Sequence, residues 1–231
     1  MFIFIIVDAL DKQLLDQFGI DLKLKYCGEY KTPPNPKTPF AVASMITGLP
    51  YKDMGKHETY LYNGYKRIYG DSVKTIFDFT KSAVIDIPCY NVKGTEGILE
   101  LILANKPVEA NMEAWLCFEK RVKKFYEALN SKKYRLVAVW FGILDRITHI
   151  WWTRPKIEIE KLEIAYREVA KIIRSVLDKG DVLVVSDHGR NHRPVAFYGA
   201  NFPCKIEKYE DVFETILVRL SSETPVHKDL L

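Results

Sequence analysis

The chain has 231 residues, 48% of them hydrophobic and 28% charged, with a formal net charge of +4. That length suits one sizeable α/β domain or two small ones, and the balance excludes a disordered or fibrous protein. The basic residues are spread along the chain, which excludes the clustered footprint of a nucleic-acid binder and leaves a weak attraction for phosphorylated small molecules.

The first element expected is a strand over 2–7, Phe-Ile-Phe-Ile-Ile-Val, closed by Asp8. No basic segment precedes it, so it reads as a strand and not as a signal peptide. A short helix from Leu10 to Gln17 follows, then a second strand over Lys23–Tyr26. The loop Thr32–Pro39 is rich in proline. Pro39 suits a first helical turn, so Thr38 is the expected N-cap of a helix reaching Thr47 and ended by Gly48-Leu49-Pro50. Residues 51–71 read as a long surface loop, and Ser72 as the cap of a helix running to about Lys81. A strand is expected over 83–87, and helices over 94–104 and 109–131. The apolar run Leu136–Phe141 is a strand, and a short helix carrying Asp145 and His149 follows it. Helical spacing covers 157–177, from Ile159 through Val176. Strands over 182–186 and 195–198 and a last helix near 210–221 complete the chain.

This alternation predicts an α/β fold, a mainly parallel central sheet sandwiched by helices. No linker or internal repeat divides it, so residues 1–231 are read as one domain, with 88–132 as a small helical cover. No apolar run approaches the eighteen or so residues of a membrane span. Cys27, Cys89, Cys117 and Cys204 form no CxxC pair, the usage of a cytoplasmic protein with reduced thiols. A homo-oligomer is compatible with all of these features.

Three apolar strands end in metal-ligand residue types. Asp8 follows the first. Asp145 and His149 follow the strand ending at Phe141, at the i and i+4 spacing that puts both on one helix face. Asp187 and His188 follow Val182–Ser186 directly, and Gly189 closes the turn. In an open α/β sheet, carboxyl ends of strands are where ligands bind. His192 lies four residues beyond His188, ahead of another apolar segment. Asp8 has a plainer role open to it, as N-cap of a helix starting at Ala9 or Leu10. Mixed carboxylate and imidazole ligation suits Zn²⁺ or Mn²⁺ better than Ca²⁺ or Mg²⁺, and six such residues exceed the needs of one four-coordinate ion. Two divalent ions are therefore expected, Zn²⁺ first and Mn²⁺ second.

In chain order, these motifs resemble the alkaline phosphatase superfamily, in particular its nucleotide pyrophosphatase/phosphodiesterase branch. Ile6-Val7-Asp8-Ala9-Leu10 is similar to the first metal-ligand strand, and Thr38-Pro39 through Thr47-Gly48 to the nucleophile helix. Gly55-Lys56-His57 resembles the Gly-x-His segment after it. Leu144–Trp152 resembles the Asp/His element of compact archaeal members. Ser186-Asp187-His188-Gly189 and the segment His192–Gly199 resemble the remaining ligand motifs. The resemblance implies an alkaline-phosphatase-like core and a two-metal hydrolase of phosphate esters. It implies one ion on Asp145, His149 and His192, and another on Asp8, Asp187, His188 and the Thr38 oxygen. Thr38 would attack phosphorus and carry a covalent phospho-threonine ester.

Two departures from that family are legible. Many relatives place Asn three residues after the nucleophile, where this chain has Ala41, and Pro39 offers no N–H. The amides of Phe40 and Ala41 are the expected replacements for binding phosphate at a helix N-terminus. The aromatics Tyr51, Tyr60, Tyr62, Trp151 and Trp152 favour a diester, a small phosphorylated substrate of the nucleotide kind. A monoesterase or phosphomutase of the same superfamily, or a non-catalytic binding module on this fold, are the alternatives.

Overall fold

In a computed structural model, residues 1–54, 73–91 and 97–222 are described. Strand β1 (Phe2–Val7) is followed by α1 (Lys12–Gln17), β2 (Tyr26–Lys31), α2 (Thr38–Thr47), the single turn α3 (Tyr51–Met54) and β3 (Ser82–Ile85). Then come α4 (Ile98–Leu103), α5 (Pro107–Ser131), β4 (Leu136–Phe141), α6 (Ile143–Trp151), α7 (Pro155–Arg174), β5 (Asp181–Val185), β6 (Val195–Ala200) and α8 (Glu210–Ser222). The strands form one sheet in the order β2-β6-β5-β1-β4-β3. The β1–β4, β1–β5 and β3–β4 pairs are parallel, while β6 pairs antiparallel with both β5 and β2. The fold class is α/β with a mixed, mostly parallel sheet.

The continuous apolar runs of β1 and β4 follow from burial on both faces. Ile3, Ile5 and Val7 enter one core with α5, α6 and α7. Phe2, Phe4 and Ile6 enter the other with α2 and α8. The period of two in a strand thus feeds two helical layers from one segment.

Register sets up the functional rim. Val7 lies opposite Phe141, and Ile6 opposite Val185, so the three central strands run out together. The Asp8 N–H donates to the Phe141 carbonyl at 3.0 Å. Lys31 lies opposite Val195, so the loop after β2 and the turn before β6 reach the same rim. That brings Thr38 and His192 to the edge where Asp8, Asp145 and Asp187 emerge.

Several boundaries differ from expectation. The second strand is Tyr26–Lys31, not Lys23–Tyr26, because Lys23 sits at φ 62° in a turn where Asp21 Oδ1 accepts its N–H at 2.7 Å. Helix α1 starts at Lys12, and its cap is Asp11, whose Oδ1 accepts the Gln13 N–H at 2.8 Å. Asp8 is thereby released from the capping role. The helix expected up to Lys81 is, among the described residues, a 3-10 turn over Ile76–Asp78, because Asp78 folds back onto Thr75 in a capping box. Ser72, the Gly55–His57 segment, Tyr60, Tyr62 and His227 lie outside the described residues. None of the four cysteines is in a disulfide among the described residues. No helix among the described residues is long and apolar enough to cross a membrane.

Gly180 leads into β5 where Asp181 N–H donates to the Met1 carbonyl at 3.2 Å. A Cβ at Gly180 would stand 2.0 Å from that same oxygen. Gly180→Ala is therefore expected to destabilise the protein by about 1–3 kcal/mol, as overpacking does. Urea unfolding checks this, and an unchanged midpoint would show that the two segments separate at no cost.

Candidate metal centre

Asp8 is the first residue beyond β1 and is almost fully buried. Asp187 and His188 follow β5 by one residue and are completely buried. Asp145 is the third residue of α6, and His149 is one turn further along. His192 ends the 3-10 turn Arg190–His192 just before β6. Sequence reasoning named these six, and the structure brings them together.

Among the described residues, two groups place ligand atoms within 4.8 Å of one another: Asp145, His149 and His192 in one, and Asp8, Asp145 and His188 in the other. Asp145 thus belongs to both, where the expectation had it with one ion only. His188 Nε2 lies 3.4 Å from Asp8 Oδ1 and 3.3 Å from Asp187 Oδ2. His149 Nε2 lies 3.3 Å from Asp145 Oδ1. The His149 and His192 rings are 5.4 Å apart, and those of His188 and His192 4.4 Å.

The donor set fits divalent cations. Asp145 Oδ1, Asp187 Oδ2 and His188 Nε2 are buried atoms with no well-formed hydrogen bond among the described residues. Buried polar atoms are nearly always paired, so three orphans converging on one rim point to a missing partner of positive charge. His188 Nδ1 is 2.9 Å from the Gly189 carbonyl. A carbonyl only accepts, so Nδ1 carries a proton there, and in the neutral ring Nε2 is the atom left to bind a cation.

The electrostatics agree. Burial, then the charges of Asp187 and Asp145, hold the Asp8 carboxyl well above the usual carboxylate range. Burial also raises Asp145, but hydrogen bonding and charge from His149, with His188 and His192, outweigh it and leave Asp145 low. Asp145 in turn raises His149. Burial and the neighbouring His188 lower His192, which favours the neutral imidazole a cation needs.

Surrounding residues that the sequence did not single out hold the ligands in place. Tyr30 Oη donates to the Ser186 carbonyl at 2.7 Å, and Tyr209 Oη to the Asp187 carbonyl at 2.5 Å. Burial keeps both phenols protonated as donors. Ser186 Oγ accepts the Phe197 N–H at 2.7 Å, tying the end of β5 to β6. The Ala9 N–H donates to Asp187 Oδ1 at 3.3 Å from a left-handed backbone, φ 60°.

Thr38 stands at the same rim. It is the first residue of α2, and Lys37 occupies the cap position, so the expected N-cap role does not apply. Its Oγ1 lies 3.5 Å from Asp8 Oδ1 instead. The expectation of free amides at Phe40 and Ala41 is corrected. Both donate to the Lys37 carbonyl, at 2.9 and 3.1 Å, because the helix begins one residue earlier than a Thr38 cap would require. The aromatics divide. Tyr51 packs edge-on against Phe40 and accepts the Lys37 N–H, and Trp151 is buried with Nε1 on Asn111. Trp152 is 69% exposed.

No protein-family profile and no curated protein matches the chain. Among solved structures, the PH0037 protein of Pyrococcus horikoshii shares the fold, at 14% identity over 97% of both chains with a TM-score of 0.50. An alkaline phosphatase from the Antarctic bacterium TAB5 is also similar, at 12% identity over 96% of this chain and 97% of that one, TM-score 0.48. A mutant of that phosphatase with magnesium in its M3 site aligns with the same values.

Asp8 carries a proton in the folded state at a pH where the unfolded chain has lost it. Stability without metal therefore falls as pH rises from the ordinary value of 3.8 through the raised one. In chelator-treated protein at pH 7, Asp8→Asn is expected to be more stable than the native chain. The advantage disappears toward pH 4, and added Zn²⁺ raises the native melting temperature more than the variant's. Thermal melts at both pH values check this. A metal-free variant less stable than the native chain at pH 7 would show that the carboxylates do not repel.

Proposed function

We propose that this protein is a metal-dependent hydrolase of phosphate esters, of the alkaline phosphatase superfamily and nearest its nucleotide pyrophosphatase/phosphodiesterase branch. The observation that carries this reading is the placement of one hydroxyl, Thr38 Oγ1, against Asp8 Oδ1 in a buried cluster of unpaired carboxylate and imidazole atoms. The order of the motifs along the chain supports it.

Asp145, His149 and His192 would hold one divalent ion, and Asp8, Asp187, His188 and Thr38 Oγ1 the other, with Asp145 within reach of both. Zn²⁺ and Mn²⁺ suit this donor set. Bound ions supply the positive charge that stabilises a threonine alkoxide near neutral pH and the negative charge that builds on a leaving oxygen. Thr38 Oγ attacks phosphorus in line, the bond to the leaving oxygen breaks, and the phosphoryl group remains on Thr38. Asp8 Oδ1 is the acceptor toward which the Thr38 proton points. Water then attacks the phospho-threonine, the bond from phosphorus to Thr38 Oγ breaks, a phosphate monoester leaves when the substrate is a diester (phosphate when it is a monoester), and a water proton restores the Thr38 hydroxyl. Tyr30 and Tyr209 act on the strand end, fixing Ser186 and Asp187 by their carbonyls. The Thr38 N–H is the amide left for a phosphoryl oxygen, since Pro39 has none and those of Phe40 and Ala41 are committed.

A diester fits an exposed apolar surface at the rim, and Trp152 is one helical turn beyond His149. A monoester is the second reading, favoured by Arg146. It neighbours Asp145, its guanidinium stacks 5.4 Å from the Trp140 ring, and its charge reaches Asp8. Nucleotide pyrophosphate bonds belong to the first reading.

Thr38→Ala is expected to lower kcat/KM by about a thousandfold or more, as loss of a nucleophile does. Stability should change by no more than about 0.5 kcal/mol, because no cap bond is lost. Acid quench and mass spectrometry of the native enzyme should find on Thr38 a phosphoryl group that keeps the second ester substituent of a diester substrate, or bare phosphate from a monoester. Full turnover in Thr38→Ala would remove the covalent route.

With Zn²⁺ or Mn²⁺ present, bis-p-nitrophenyl phosphate is expected to turn over faster than p-nitrophenyl phosphate. The reverse order supports the monoester reading, and no metal-dependent turnover of either supports a binding module.

A further inference from the structure

The residue carrying His192 is held in a way no other ligand is. Asn191 and His192 both adopt left-handed backbone, φ 55° and 54°. Consecutive non-glycine residues in that region cost of order 1–3 kcal/mol each and persist only where the surroundings enforce them. The surroundings here are the ion pairs of two arginines. Arg190 donates through Nε and Nη2 to Glu158 Oε1, at 2.8 and 2.7 Å. Arg193 Nη2 donates to Asp11 Oδ1 at 2.8 Å and reaches Glu29 Oε1 at 3.3 Å. Asp11 Oδ2 accepts the Arg190 N–H at 3.1 Å.

Both central acids are buried, Glu158 to 2% and Asp11 to 4% exposure. Each comes from a separate helix start: Asp11 caps α1 and Glu158 lies in the first turn of α7. Tyr166 of α7 fixes Asp11 further, its Oη accepting the Asp11 N–H at 2.9 Å and donating to the Ala9 carbonyl at 3.3 Å. The turn closes on itself as well, with Gly189 N–H donating to the Arg193 carbonyl at 3.1 Å. A Cβ at Gly189 would meet Asp11 Oδ2 at 2.8 Å, so glycine lets the carboxylate approach.

Buried charges at this density are not needed to close a four-residue turn. Their geometric effect is to aim one imidazole at Asp145 and His149. We propose that Glu158 and Asp11 are positioning residues for the outer ion. Acting through Arg190 and Arg193, they hold the strained turn that presents His192, and they set the affinity of the Asp145–His149–His192 group without setting that of Asp8, Asp187 and His188. This rests on the two-ion reading above. The two groups differ as such a division requires. The inner one is buried and tied down by Tyr30 and Tyr209, while His149 has a half-exposed side chain and His192 sits on the clamped turn. The native chain should therefore load its ions in two steps, inner first.

The test is calorimetric titration of the chelator-treated full chain with Zn²⁺, with ions counted by mass spectrometry after gel filtration. The native chain is expected to take two ions in two affinity classes. In Glu158→Ala the weaker class should lose about 10- to 100-fold in affinity, the usual effect of losing an outer-shell partner. The tighter class should stay within a factor of two or so, a difference of only about 0.4 kcal/mol. Arg190→Ala removes the same pair from its more exposed side and should do the same, which covers the case of a poorly folding Glu158 variant. Glu158→Gln keeps the acceptor oxygen and should recover part of the loss. If both classes weaken together, or neither changes while the native chain binds two ions, the positioning role is wrong. A native chain that binds no Zn²⁺ defeats the two-ion reading itself.

Discussion

Asp8, Asp145 and Asp187 end or follow three neighbouring strands, and nothing in the backbone keeps their charges apart. Parallel register forces the strands to run out at the same level, so their terminal side chains share one small volume. Water is largely excluded there, and like charges in low dielectric repel strongly. Burial first, and then that repulsion, raises the Asp8 carboxyl. Imidazoles relieve part of it, but His188 Nε2 and Asp187 Oδ2 still lack well-formed hydrogen bonds among the described residues. A cation is the partner that answers both the charge and the unpaired lone pairs.

The rest of the rim is organised around keeping those groups from relaxing apart. Phenols from β2 and from just before α8 pin the carbonyls at the end of β5. Two buried carboxylates pin the turn before β6 through arginines. Helix α2 is buried almost along its whole length, so its first residue cannot drift. Ala9, Asn191 and His192 all carry positive φ, and each lies beside a candidate ligand or is one. Left-handed backbone at this rim fits a site where geometry is held against local preference.

The fold was legible where apolar runs are unambiguous. Strands β1, β4 and β5 are central and buried, so they read directly as continuous hydrophobic stretches. Edge elements were not. In β2, Tyr-Cys-Gly-Glu-Tyr-Lys buries only Tyr30, so no alternation marks it and its place was misjudged by three residues. The cap of α1 shows a similar limit, since Asp8 and Asp11 are equally good capping residues on paper. Only the hydrogen bond to Gln13 distinguishes them. For α2, a proline at the second helical position is as compatible with the chain as one at the first. That single step of register engaged the amides of Phe40 and Ala41 and turned Thr38 from cap to rim.

The sequence by itself determined the ligand types and their places at strand ends, because burial of the strands and the i, i+4 spacing of Asp145 and His149 are local properties. Only the tertiary structure decided which atoms meet. The pairing of Arg193 with Asp11 spans 182 residues, and that of Arg190 with Glu158 spans 32. The sharing of Asp145 between two groups and the approach of Thr38 to Asp8 likewise depend on strand order. Such contacts have no periodicity to betray them, since they arise where separate elements are brought to one edge by the pairing of the sheet.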